Sequence, residues 1–322
     1  MHIFVAGATG AVGRRLLPLL LSAGHTVVGL TRTPEKCAAI RALGADAIAA
    51  DGLDAQAIHT AVASAKPDVI VHEMTDLKAA SDLREFDRTF AASNRLRTEG
   101  TDNLLAAARD AGVKRFVAQS YCGWPYARVG GPIKSEEDPF DSDPPHELQR
   151  TLDAIRYLES TVTRSTAPEG IVLRYGAFYG PETGLFDGPM VDQIRRRRAP
   201  VIGDGNGWWS FVHIDDAAKA TTLAIERSQA GNIYNIVDDE PAPVREWLPA
   251  LASMLGARSP LHVPAWLGRL LAGEHMVAMM TQVRAASNLK AKRELGWRPS
   301  YPTWRAGFSE VIRQDSARRS AA

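Results

Sequence analysis

The run Gly7-Ala8-Thr9-Gly10-Ala11-Val12-Gly13 follows directly on an apolar stretch, Ile3 to Ala6, and leads directly into an amphipathic one from Arg14 to Ala23. A glycine set placed between a strand and a helix makes a turn that side chains would obstruct. It also lets backbone N–H groups close on a pyrophosphate at the positive end of the helix dipole. The context turns a common glycine pattern into a specific one, so the chain is expected to bind a dinucleotide through Gly7, Ala8, Thr9, Gly10, Ala11, Val12 and Gly13.

The rest of the first half keeps the rhythm that such a site requires. Short apolar runs at 3–6, 26–30, 47–50, 69–72 and 115–119 read as strands. The helical patterns 14–23, 34–43, 54–65 and 100–111 lie between them, with Gly24, Gly44 and Gly112 placed as stops. Strand and helix in alternation imply right-handed crossovers and a parallel sheet covered on both faces. The fold class is therefore α/β, a Rossmann-type doubly wound parallel sheet with a smaller C-terminal lobe. Residues 1–180 are assigned to the dinucleotide-binding domain, completed by about 205–237, and residues 181–204 and 238–322 to the substrate lobe. In the second half a strand is read at 171–174, a short helix holding Arg195 to Arg198, a helix from near Asp215, a strand at 233–237 and a helix at 244–255.

Charge narrows the partner. Thirty-eight Lys plus Arg against 37 Asp plus Glu give a net charge of +1, with no field to draw nucleic acid or an anionic membrane. A small molecule is the expected partner, and a homodimer remains open. The two cysteines, Cys37 and Cys122, have neither disulfide-framework nor zinc spacing, and the eight histidines show no metal pattern. No apolar run approaches the roughly 20 residues that span a bilayer, and no leader precedes the first strand, so a cytoplasmic location is expected.

The spacing Gly-x-x-Gly-x-x-Gly resembles the extended short-chain dehydrogenase/reductase superfamily, which includes nucleotide-sugar epimerases and dehydratases. Further segments share that resemblance: Ala50-Asp51-Gly52-Leu53-Asp54, Gly100-Thr101-Asp102-Asn103-Leu104-Leu105, Arg174 through Tyr179-Gly180-Pro181, and Phe211 to Asp216. The resemblance implies cofactor contacts from Asp51, Gly52, Leu53, Met74, Arg97, Ser120, Tyr175, Gly176 and Ala177, and a substrate near Thr75, Tyr121, Tyr175, Trp208 and Trp209. After the second strand stand Thr31-Arg32-Thr33, where an NAD enzyme would place a carboxylate for the ribose hydroxyls. Arg32, with Lys36 as a second cation, suits a 2′-phosphate instead, so NADP is favoured over NAD.

One departure dominates. The superfamily's acid/base pair, Tyr-x-x-x-Lys on a helix, has no counterpart here: Thr151 and Ile155 take its two positions on the helix 152–162, with Glu159 following. Neither side chain can perform that proton chemistry. Arg97 stands where the helix usually carries Asn, and Tyr175 where Pro is usual. The fifth strand ends Gln119-Ser120-Tyr121-Cys122, so either Ser120 or Tyr121 takes the catalytic hydroxyl position, depending on register. Trp208 and Trp209 suit an aromatic pocket mouth or the core of the lobe. Arg195 to Arg198 suit a diphosphate or a solvated face, His72 and His213 read as structural, and Asp215 and Asp216 read as helix caps. The expected function is NADPH-dependent reduction of a carbonyl or similar group on a small, partly apolar substrate. The rivals are a nucleotide-sugar epimerase or dehydratase with retained cofactor, and a non-catalytic NADP sensor.

Overall fold

A computed structural model describes residues 1–76, 86–183 and 189–321. Residues 184–188 of the expected lobe segment 181–204 therefore lie outside the described residues. Seven strands form the central sheet: β1 (His2–Ala6), β2 (Thr26–Thr31), β3 (Asp46–Ala49), β4 (Val69–His72), β5 (Arg115–Tyr121), β6 (Glu169–Tyr175) and β7 (Ile233–Ile236), in the order β7-β6-β5-β4-β1-β2-β3. Every pairing within it is parallel. The order reverses between β1 and β4, and ligands of such sheets bind beyond the strand ends at that point.

Alternation along the strands builds two cores. Ile3, Val5, Val71, Val117 and Leu173 face α1 (Ala11–Ser22) and the later helix Ile214–Arg227. Phe4, Ala6, Ile70, Phe116 and Val172 face the opposite layer, in which α3 (Ala55–Ala65), α4 (Thr101–Asp110) and α5 (His146–Thr163) supply Ile58, Leu105 and Leu158; α2, the short helix Cys37–Ala42, sends Ile40 into the first core. The period-2 pattern of strands buried on both faces thus places large side chains in both layers. In a third core Tyr179, Phe211, Trp247, Trp304 and Phe308 pack together.

Three details differ from the expectations. The helix assigned to Arg195–Arg198 instead spans Pro189–Arg195 and ends before Arg197, whose φ is +56°. The C-terminal stretch is not wholly lobe: Ala291, Leu295 and Trp297 return to the core beneath the central sheet, and the Trp297 indole N–H donates to Asp216 O at 3.1 Å. The helix Ile214–Arg227 is capped by His213, whose Nδ1 accepts from Asp215 N at 3.2 Å. Asp215 pairs with Arg15 at 2.9 Å, and Asp216 accepts from the N–H groups of Ser300 and Tyr301, so neither aspartate is the cap.

Candidate functional site

The glycine turn is shaped by close approach. Gly7 has φ +97°, and a Cβ there would stand 2.5 Å from Glu73 O; a Cβ on Gly13 would stand 2.4 Å from Gly7 O. Neither position tolerates a side chain without backbone movement. Arg14 N is the first amide of α1 to reach a helical carbonyl, Gly10 O at 3.1 Å, so the N–H groups of Ala11, Val12 and Gly13 point out of the helix start. This cradle fits a pyrophosphate.

The other expected cofactor positions line the same edge. Arg32 follows β2 and pairs with Asp76 at 2.8 Å, while Lys36 is exposed on the turn Pro34–Lys36. Asp51 spends one oxygen on Leu53 N at 3.0 Å, and Gly52 is pressed so closely against Met74 that a Cβ would meet its sulfur at 2.4 Å. Asn103 ties this loop to α4 by donating to Gly52 O at 3.1 Å. Gly176 and Ala177 use their N–H groups on Ile236 O and Ser210 O, leaving only their surfaces and carbonyls to a ligand.

Between α4 and the preceding helical residues lies a π-turn, Leu96–Gly100. Such bulges loosen a backbone carbonyl. Here His72 Nε2 lies 3.2 Å from Leu96 O, its Nδ1 accepts from Met74 N, and burial holds its pKa down to about 4, so the imidazole stays neutral and structural. His213 is structural as well, stacked on Tyr301 at 3.9 Å.

Two candidates are corrected. Ser120 is buried, and its hydroxyl donates to Glu159 Oε1 at 2.6 Å. Glu159 in turn receives Arg174 through bonds of 2.8 and 2.6 Å, making a buried bidentate pair that fastens α5 to β5 and β6. The Ser120 hydroxyl is thus committed to the core. Tyr175 is fully buried below the sheet, with its hydroxyl 3.0 Å from Glu73 Oε1 and 2.6 Å from Thr221 Oγ1. It cannot touch substrate without dismantling that core.

Tyr121 remains at the sheet edge, lining a pocket with Cys122, Gly123, Trp124, Trp208, Trp209, Ser210, Met279 and Val283. Burial pushes its phenol above the ordinary tyrosine range. Trp209 serves both expected roles: it lines the pocket and packs on Trp247 at 5.5 Å, with its indole N–H on Met279 O at 3.0 Å. Thr75 is half-buried and does not line this pocket. Thr151 and Ile155 are buried, and Thr151 donates to Asp87 at 2.7 Å while accepting from Asn94 at 3.0 Å. Both side chains are thus part of the packing and hydrogen bonding that hold α5.

Sequence reasoning missed Trp124, Met279, Val283 and Glu73. Trp124 follows β5 by three residues, and Glu73 is an acid closing an apolar strand, so both left a local signal. Met279 and Val283 arrive from helix Glu274–Thr281 and the loop beyond it, far along the chain, and left none. Among the described residues there is no metal-binding group of three or more His, Cys, Asp or Glu. No helix among them is long and apolar enough to cross a membrane.

The sequence pattern of the NAD dependent epimerase/dehydratase family matches residues 3–237. The chain belongs to that family. Its Rossmann-like sheet is shared with solved members of the extended short-chain dehydrogenase/reductase superfamily. Human epimerase family protein SDR39U1, solved with NADPH, superimposes with a TM-score of 0.75 at 21% identity, covering 97% of this chain and 99% of that one. UDP-glucose 4-epimerase of Thermotoga maritima, solved with UDP-glucose, gives 0.77 at 20% identity over 100% of both chains. In sequence, the chain is 41% identical over 311 residues to a Streptomyces protein named 3-diazoavenalumate denitrifying reductase, covering 96% of this chain and 99% of the relative. It is 28% identical to a Stigmatella aurantiaca protein named 4-hydroxy-2-methyl-3-oxo-4-farnesyl-3,4-dihydroquinoline-1-oxide ketoreductase, with 92% of each covered. A nicotinamide cofactor and oxidoreductase chemistry of this superfamily follow for the family member described here.

Proposed function

We propose that the protein is an NADPH-dependent reductase acting on an electrophilic group of a planar, largely apolar aromatic substrate. The observation that carries this reading is the pocket at the end of β5, walled by Tyr121, Trp124, Trp208 and Trp209, in a chain that carries Thr151 and Ile155 where the resemblance expects Tyr and Lys. When bound, the reduced nicotinamide supplies a hydride. The chain supplies the rest: the Gly7–Gly13 turn seats the pyrophosphate, Arg32 and Lys36 meet the 2′-phosphate, and the tryptophan walls hold a flat ring by stacking and exclude water.

A diazo-bearing arene is the first electrophile assigned, in line with the name of the Streptomyces relative. An arenediazonium that takes hydride at its terminal nitrogen ends as arene plus dinitrogen, so atoms and electrons balance with no proton from the protein. A site without a Tyr-Lys pair suits that reaction. A carbonyl is the second assignment; its oxygen becomes an alkoxide, and Tyr121 is the hydroxyl placed to protonate it. Loss of NADPH absorbance with a panel of arenediazonium salts and aryl ketones tests the reading. Turnover of at least one aromatic electrophile is expected, with Trp209→Ala raising KM. Inertness toward every one, with tight cofactor binding, would favour the sensor reading, and a nucleotide sugar epimerised without net NADPH loss would favour the epimerase.

A further inference from the structure

Arg97 is a half-buried cation without an anionic partner among the described residues. Its NH1 donates to Asn94 Oδ1 at 3.0 Å. The nearby acid Asp87 is committed elsewhere, taking Arg150 N at 3.0 Å and both the N–H and hydroxyl of Thr151 at 2.9 and 2.7 Å. Loss of water around the guanidinium pulls its pKa down to about 10, and no carboxylate offsets that cost. A desolvated, uncompensated cation is expensive unless a ligand completes it.

Placement narrows the ligand. Phe90, Asn94 and Arg97 recur at helical spacing, four and then three residues apart, so they share one face. Asn94 N bonds Phe90 O at 2.8 Å, which confirms the helical step. At the outer end of that face, Phe86 and Phe90 belong to the same apolar cluster as Trp124, Trp209, Met279 and Val283 of the aromatic pocket, and Phe86 meets Trp124 edge-on at 5.6 Å. At the inner end stands Arg97, about 10 Å along the helix from Phe90. The cofactor's own anionic groups have other seats: the pyrophosphate at the start of α1 and the 2′-phosphate at Arg32 and Lys36.

Resting on the reductase reading above, we infer that Arg97 is the substrate-anion site of this cleft, and that the substrate is an aromatic carboxylate whose ring lies in the tryptophan pocket and whose carboxylate takes the guanidinium fork. The π-turn and the Asn94–Thr151–Asp87 chain hold Arg97 in place, so the residues that replace the missing acid/base pair serve recognition. The fork geometry favours a carboxylate over a single oxygen.

The test is binding, which does not depend on turnover. Tryptophan fluorescence of the NADP⁺-loaded protein is titrated with cinnamate and with cinnamide, its uncharged counterpart. Cinnamate is expected to bind at least about tenfold more tightly, as a charge-assisted pair implies. Arg97→Gln should erase the difference, and Arg97→Lys should restore part of it. Equal binding of acid and amide to the wild type would overturn the proposal without any variant. A loss of NADP⁺ affinity in Arg97→Gln with the acid preference intact would also overturn it, assigning Arg97 to the cofactor. Preference for cinnamate in a protein that oxidises NADPH with no electrophile would uphold the anion site and sink only the reductase reading.

Discussion

Glu73 offers the sharpest physical prediction. The residue follows β4, is 4% exposed, and its backbone carbonyl approaches Gly7 of the cofactor turn so closely that a Cβ there would clash with it. One carboxyl oxygen lies 3.0 Å from the Tyr175 hydroxyl, the other has no hydrogen-bond partner among the described residues, and burial lifts its pKa from 4.5 to about 8. Above pH 4.5 the unfolded chain releases this proton, while the folded chain keeps it up to about 8. The unfolded state therefore binds fewer protons in that window, and stability must fall as pH rises through it. At about 1.4 kcal/mol per pH unit, the loss relative to acid conditions is about 3 kcal/mol at pH 7 and about 5 kcal/mol above pH 8. Glu73→Gln keeps the shape and removes the titration. Urea unfolding of both proteins from pH 5 to 8.5 should show the variant gaining on the wild type by about 4 kcal/mol, with any constant offset from the amide cancelling in the slope. A difference that stays flat across the range would refute the neutral, buried state of Glu73.

Other substitutions probe the remaining assignments. Arg32→Ala should weaken NADPH binding by about 1.5 to 3 kcal/mol and leave NADH nearly unchanged by calorimetry; equal affinity of the wild type for both would remove Arg32 from cofactor choice. Tyr121→Phe should lower kcat by about 10² to 10⁴ with a ketone substrate and hardly at all with an arenediazonium, since only the ketone needs a proton. Ile155→Ala removes a side chain 1% exposed in α5 and should cost about 2 to 5 kcal/mol in urea unfolding. Full loss of the chemical step in a folded Ile155→Ala protein would instead show that the position is still catalytic.

The architecture was legible because each strand and its following helix are specified locally. Apolar runs such as Ile3 to Ala6 and Val69 to His72 can only be buried strands, and glycines at Gly7, Gly24 and Gly112 mark where the chain must turn. The site was legible only in part. Whether Ser120 or Tyr121 faces the ligand depends on the strand's pleat at its last residues, and a one-residue difference reverses the answer. The structure turns Ser120 inward to Glu159 because the buried Arg174–Glu159 pair needs another donor. Tyr175 was misplaced for a similar reason: its neighbour in space, Glu73, is 102 residues away, and no local pattern announces that contact. The pocket walls from Met279 and Val283 depend on how the C-terminal segment returns across the sheet edge, which periodicity does not encode.

The central claim is that hydride passes from NADPH to an aromatic substrate held between the tryptophans, and isotope transfer tests it most directly. NADPH deuterated on either face of nicotinamide C4 is mixed with the protein and an aryl ketone from the panel, whose new carbon–deuterium bond does not exchange with water, and the product is examined by mass spectrometry. The account predicts one deuterium in the product from one cofactor face only, with NADP⁺ formed in equal amount and transfer impaired in Trp209→Ala. Product without deuterium from either face, or substrate changed while NADPH is not consumed, would contradict it.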